Sequence, residues 1–272
     1  MILIFRVIVL SALMLFTQKA LNAQADSLVI SSKYAVPDGM GNLFVITENN
    51  TLLKVDSNLK ILISQSLIRY GIASSMECNG ATEIAVYCYN TGRLTVFDDF
   101  LKEKNQYDLS QLIKPKPTLI CLSKTGWWGY DESTGLISNY RTNFQKVWSL
   151  PKLPGMGKEI IRMAEIEYSL PNILFADTTF IIPKVELLSS NTGTMDEYKF
   201  QSIPILNYNT SELFGYFNDT LKRLSLHREL PITFFISKTC LNLKNVMMVT
   251  RSFNTYFFIL PKSIIALRHL VE

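Results

Sequence analysis

The chain has 272 residues, of which 48% are apolar and 18% charged, with a formal charge of +4 and two histidines. That length suffices for one domain with a substantial core. Its positive charge is too small and too scattered for an electrostatic nucleic-acid footprint, so nucleic acid is excluded as a partner.

From the N-terminus, Arg6 precedes an apolar run from Val7 to Phe16, and small residues follow at Ala20, Ala23 and Ala25. This pattern predicts a secretory signal peptide over residues 1–25, cleaved after Ala23 or Ala25. The run is shorter than the roughly 18 to 20 residues a bilayer-spanning helix needs. No Cys precedes Cys78, which excludes a lipoprotein anchor. Loss of Arg6 and Lys19 with the leader lowers the formal charge from +4 to +2. A single exported domain over 26–272, with no transmembrane segment after cleavage, is expected.

Strand signals dominate from Leu28 onward: LFVIT at 43–47, EIAVYCY at 83–89, TLICLS at 118–123, FFIS at 234–237 and YFFIL at 256–260. Several of these runs are continuously apolar, as strands buried on both faces require. Asp38-Gly39, Asn79-Gly80, Thr91-Gly92 and Thr134-Gly135 punctuate them at hairpin spacing. Within this pattern a unit recurs: TLLKVDSNLK from Thr51, RLTVFDDFLK from Arg93 and LISNYRTNFQ from Leu136. Aligned on Asp56, the next copies place Asp98 and Arg141 there, 42 and 43 residues further on. A strand repeat of that length has the period of a propeller blade. Weaker units around Ser189, Ser225 and Arg268, at spacings of 48, 36 and 43, bring the count to six and imply loop insertions and deletions. The expected fold is therefore all-β: a β-propeller of six four-stranded blades. The last unit has only three strands of its own, and N-terminal LVISSKY is expected to supply the fourth and close the ring. Residues 155–215, with an awkward Pro183, carry the pattern least well.

The segments GNLFVITENNTLLKVDSNLK (41–60), IAVYCYNTGRLTVFDDFLKE (84–103) and GWWGYDESTGLISNY resemble a family of secreted six-bladed-type β-propeller-like proteins of Bacteroidota-type bacteria. There, units of Gly-Asn, a hydrophobic strand, a polar turn and L-x-K-[YF]-D form successive blades, and the resemblance covers nearly all of the mature chain. It implies a Gram-negative cell envelope. Its motifs specify a fold and leave the activity open. Three short acidic-hydroxyl segments, beginning at Asp26, Asp177 and Asp219, match the O-glycan attachment pattern of that lineage.

Candidate chemistry is sparse. His227 and His269 have no second His at ligand spacing, so no metal is expected. A G-x-S-x-G elbow, a P-loop and a G-x-G-x-x-G fingerprint are absent, and Gly155-Met156-Gly157 reads as a loop, so no cofactor is expected. Asp56, Asp98, Asp99 and Asp131 recur at turns, where they either line one rim as a cation site or cap their own backbone, the simpler reading. Cys78, Cys88, Cys121 and Cys240 are expected to be buried thiols, because the nearest pair would lie about 16 Å apart along a hairpin.

The interface candidates are Trp127, Trp128 and Tyr130. Alternation sends Trp127 to one strand face and Trp128 with Tyr130 to the other, where they form either an exposed platform for a glycan or peptide or inter-blade core. The expected function is a non-catalytic cell-envelope binding or scaffold protein that docks another envelope protein through rim loops, in the periplasm or at the outer-membrane periphery. The chain ends at Glu272 without a sorting domain, which favours the periplasm. The alternative is an enzyme or small-ligand binder using the central channel.

Overall fold

A computed structural model describes residues 25–79, 82–150, 160–165, 171–175, 179–183, 195–199, 205–207, 212–217, 220–225, 232–235 and 247–268. The expected signal peptide up to residue 24, Gly155 to Gly157, Ser189, His227, Cys240 and His269 lie outside them.

The described strands form six four-stranded antiparallel sheets. The first holds β2 (Ser32–Pro37), β3 (Leu43–Thr47), β4 (Thr51–Val55) and β5 (Ile61–Ser66). The second holds β6 (Ser75–Asn79), β7 (Glu83–Cys88), β8 (Arg93–Asp98) and β9 (Glu103–Asp108). The third holds β10 (Leu119–Ser123), β11 (Gly126–Asp131), β12 (Leu136–Arg141) and β13 (Lys146–Ser149). The fourth holds β14 (Ile160–Glu165), β15 (Pro171–Phe175), β16 (Thr179–Pro183) and β17 (Met195–Lys199). The fifth holds β18 (Ile205–Asn207), β19 (Glu212–Phe217), β20 (Thr220–Ser225) and β21 (Ile232–Phe235). In the sixth, β22 (Met248–Ser252), β23 (Thr255–Leu260) and β24 (Ser263–Arg268) are completed by β1 (Ala25–Val29), which pairs antiparallel with β24.

The third strands end at Val55, Asp98, Arg141, Pro183, Ser225 and Arg268, a spacing of 42 or 43 residues throughout. This corrects the fourth unit expected around Ser189: its third strand ends at Pro183, and the uneven spacings around it disappear. Proline is tolerated there because the ladder to β15 pairs Phe180 and Ile181 and stops short of position 183.

Sheet faces explain the continuous apolar runs. In β3, Phe44 and Ile46 pack with Met76, Ile84, Val86 and Phe97 of the second sheet. Leu43 and Val45, one residue out of phase, pack with Phe257, Ile259, Ile264 and Ala266 of the sixth. Likewise Tyr87 and Leu94 meet Ile120, Leu122 and Trp127, while Cys121, Trp128 and Ile137 meet Ile160, Met163 and Ile173. Each large apolar side chain so buried contributes about 1.5 to 3 kcal/mol. The first strands pack side by side: β2 against β6, β6 against β10, β10 against β14, and β22 against both β18 and β2.

Each sheet has two ends. The second-to-third turns lie at the end from which the chain crosses to the next sheet, here the crossing rim; the remaining turns form the opposite rim.

The repeat's signature is a turn on the opposite rim. Asp98 Oδ1 accepts the N–H groups of Phe100 (2.9 Å) and Lys102 (2.8 Å), and Asp56 accepts those of Asn58 (2.9 Å) and Lys60 (2.8 Å). The fourth turn residue is left-handed in each copy, with φ of 61° at Leu59, 57° at Leu101 and 63° at Phe144. Burial of those three side chains offsets the roughly 1 to 2 kcal/mol that such a backbone costs a non-glycine residue. Where Arg141 replaces the aspartate, Asn143 Oδ1 takes the Gln145 N–H instead. Substitution Asp98→Ala is expected to cost about 1 kcal/mol in a thermal melt, with Asp98→Asn retaining most of it.

Candidate functional site

The crossing rim of the first three sheets is built around the β7–β8 turn. Thr91 Oγ1 donates to Tyr70 O (2.8 Å), and Arg93 Nη1 donates to Arg69 O (3.1 Å), which ties that turn to the 67–73 crossing. From the far side Asn50 holds the same crossing, donating through Nδ2 to Gly71 O (2.7 Å) and accepting from Ala73 N–H (3.1 Å). A one-turn helix (Leu109–Leu112) then packs on the turn, with Leu109 N–H donating to Gly92 O at 2.8 Å. Lys116 Nζ donates to Tyr89 O (2.7 Å) and sits 4.1 Å from the Tyr89 ring centre.

This bracing turns some apolar side chains inward and others outward. Leu67, Tyr70 and Ala73 are buried, whereas Ile68 is 77% exposed, Ile72 62%, Leu112 50% and Tyr89 41%. Single exposed apolar residues are ordinary, but four on three mutually bonded segments make a patch. Arg93 and Lys116 give it a basic border, whereas the Arg69 guanidinium is paired with Glu103 at 3.2 Å.

Trp127, Trp128 and Tyr130 are corrected as exposed interface candidates: they are 7%, 2% and 5% exposed. Alternation splits them as expected, but both faces of β11 are covered. Trp127 stacks on Phe144 at 5.8 Å between ring centres. Trp128 meets Trp148 edge-on at 5.0 Å, and its Nε1 donates to Glu165 Oε2 at 2.5 Å. Burial holds the Tyr130 hydroxyl above its ordinary pKa, helped by Glu132 and Asp131.

The turn aspartates divide between the rims, with Asp56, Asp98 and Asp99 on the opposite rim and Asp131 on the crossing rim. Asp56, Asp98 and Asp131 cap their own turns. Partial burial opposes ionisation of Asp131, but bonds from Thr134 and Ser133 outweigh it and lower its pKa. Asp99 instead pairs with Lys54 of the first sheet. Among the described residues no three His, Cys, Asp or Glu side chains cluster as metal ligands would. Cys78, Cys88 and Cys121 are buried thiols. Desolvation pushes the Cys88 pKa up to about 11 and that of Cys78 higher still, so both stay protonated and poorly nucleophilic at neutral pH. No described helix is long and apolar enough to cross a membrane.

No protein-family model and no curated protein matches the chain. Among solved structures, a streptogramin B lyase aligns with a TM-score of 0.59 at 10% identity, over 90% of this chain and 97% of that one. Selenomethionine-substituted virginiamycin B lyase from Staphylococcus aureus aligns at 0.54 and 11% identity, over 92% of this chain and 100% of that one. BamB from Moraxella catarrhalis aligns at 0.42 and 14% identity, over 90% and 72%. The two lyase likenesses define the class by fold alone: an all-β, propeller-like protein of four-stranded antiparallel sheets.

Proposed function

We propose that this chain is a non-catalytic binding module of the cell envelope, a closed six-bladed propeller that docks another envelope protein on its crossing rim. The side-by-side first strands and the β1–β24 pair support the closed ring. The observation that carries the function is the patch of Ile68, Ile72, Tyr89 and Leu112, held out on cross-braced backbone. Exposed isoleucines fixed in place lose little conformational freedom when a partner covers them. The basic border suits a partner whose matching surface is apolar with acidic edges.

Gentle extraction of the C-terminally tagged protein from its host tests this reading. Recovery of one envelope protein at fixed stoichiometry, lost in the Ile68→Asp/Ile72→Asp variant at unchanged melting temperature, is the expected result. A bare monomer, or a complex indifferent to both substitutions, would overturn it.

A further inference from the structure

A groove of about 500 Å³ opens between the second and third sheets on the opposite rim, away from the docking patch. Its size lies within the roughly 300 to 1,000 Å³ typical of small-molecule sites. Asn79, Glu83, Asn105 and Tyr107 form one wall. Ser123, Lys124, Trp127 and Thr142 face them, and Glu165 from the end of β14 lies at the inner end.

The charges in and around this groove balance. Glu83 is paired with Lys104 at 2.5 Å and accepts from Asn79 Nδ2 at 3.2 Å, and these two donors lower its pKa against partial desolvation. Glu165, 7% exposed, accepts Trp128 Nε1–H on one oxygen and the Lys124 N–H (3.2 Å) on the other. Glu83 is thus neutralised by Lys104, and Glu165 and Lys124 are the remaining charged residues of the lining, one of each sign, so neither an anion nor a cation is favoured. A carboxylate oxygen accepts more than one hydrogen bond, so Glu165 can still accept from a ligand hydroxyl. The Asn105 amide and the Ser123, Thr142 and Tyr107 hydroxyls are neutral groups able to donate and accept. Ala85, Val96 and Leu122 supply apolar surface between them.

An extended peptide suits the groove poorly, because both walls are sheet faces, which present side chains to the groove and not the main-chain edge that strand addition needs. A ligand that alternates hydroxyl groups with apolar C–H faces suits it well. We propose that the groove binds a short neutral saccharide.

Isothermal titration calorimetry of the full chain with maltotetraose, cellotetraose and chitotetraose tests the assignment. At least one should bind. Asn105→Ala should weaken it about tenfold, and Thr142→Arg, at an exposed position of the mouth, should abolish it. Neither substitution should alter the melting temperature. The Ile68→Asp/Ile72→Asp variant should bind the sugar normally, which separates this site from partner docking. Silence from all three neutral tetrasaccharides overturns the proposal. So does binding that survives both groove substitutions, or binding of tetragalacturonate, spermine or tetra-alanine in their place.

Discussion

Deletion of residues 25–30 is expected to destabilise the protein by about 5 kcal/mol, lowering the melting temperature by roughly 10 to 20 °C. The deletion removes the whole β1 ladder, in which Ala25 to Val29 pair with Leu267 to Ser263. With it go Leu28 and Ile30, which pack against the cluster of Leu43, Val45, Phe257 and Ile264. The Asp26–Arg268 ion pair is lost too, but its side chains stay partly exposed, 33% and 17%, so Asp26→Asn should cost about 1 kcal/mol, far less than the deletion. What remains is β24 with an open edge over a buried apolar face, a template for aggregation. Thermal melts and light scattering of the deletion and point variants measure both effects. An unchanged melting temperature in the deletion would contradict the pairing.

Gly126→Ala is the single substitution with the largest expected penalty, about 3 to 4 kcal/mol or roughly 10 °C. Gly126 opens β11 with φ of 158°, paired with Arg141 on β12. A Cβ there would strike Tyr140 O and come within 2.6 Å of the Arg141 carbonyl carbon and 2.8 Å of its Cα. These are main-chain atoms of a central strand pair, so no side chain can swing aside. Gly41 provides the control: its φ is 105°, but a Cβ there meets nothing within 4 Å. Gly41→Ala should therefore show the dihedral cost alone, about 1 kcal/mol. Equal losses at the two positions would mean that the close approach of β11 to β12 contributes nothing.

The fold was legible where a turn imposes its own residue requirements. The aspartate at Asp56 and Asp98 and the apolar residue three positions later satisfy one backbone geometry, so that pattern marks the end of a third strand. In the fourth sheet that chemistry is missing, since β16 ends on Pro183, and the eye is drawn to the later serine pair at 189–190. Alternation correctly separated Trp127 from Trp128. Their burial could not be read, because it depends on whether a neighbouring sheet covers each face, and those covering residues lie in other repeats. The exposed apolar patch was missed for the converse reason. In LIRYGI, residues 67–72, Leu67 and Tyr70 point inward while Ile68 and Ile72 point outward, and only contacts with Asn50 and Thr91 decide which is which.

The meeting of Asp26 with Arg268 also fixes an orientation. Both residues lie at the opposite rim, where β1 starts and β24 finishes. A tether joined to either strand therefore leaves the molecule from the face that holds the groove. The isoleucine patch would then be presented away from the point of attachment. Grafting a lipid or a bulky domain onto either end would shade the groove and leave the far face accessible.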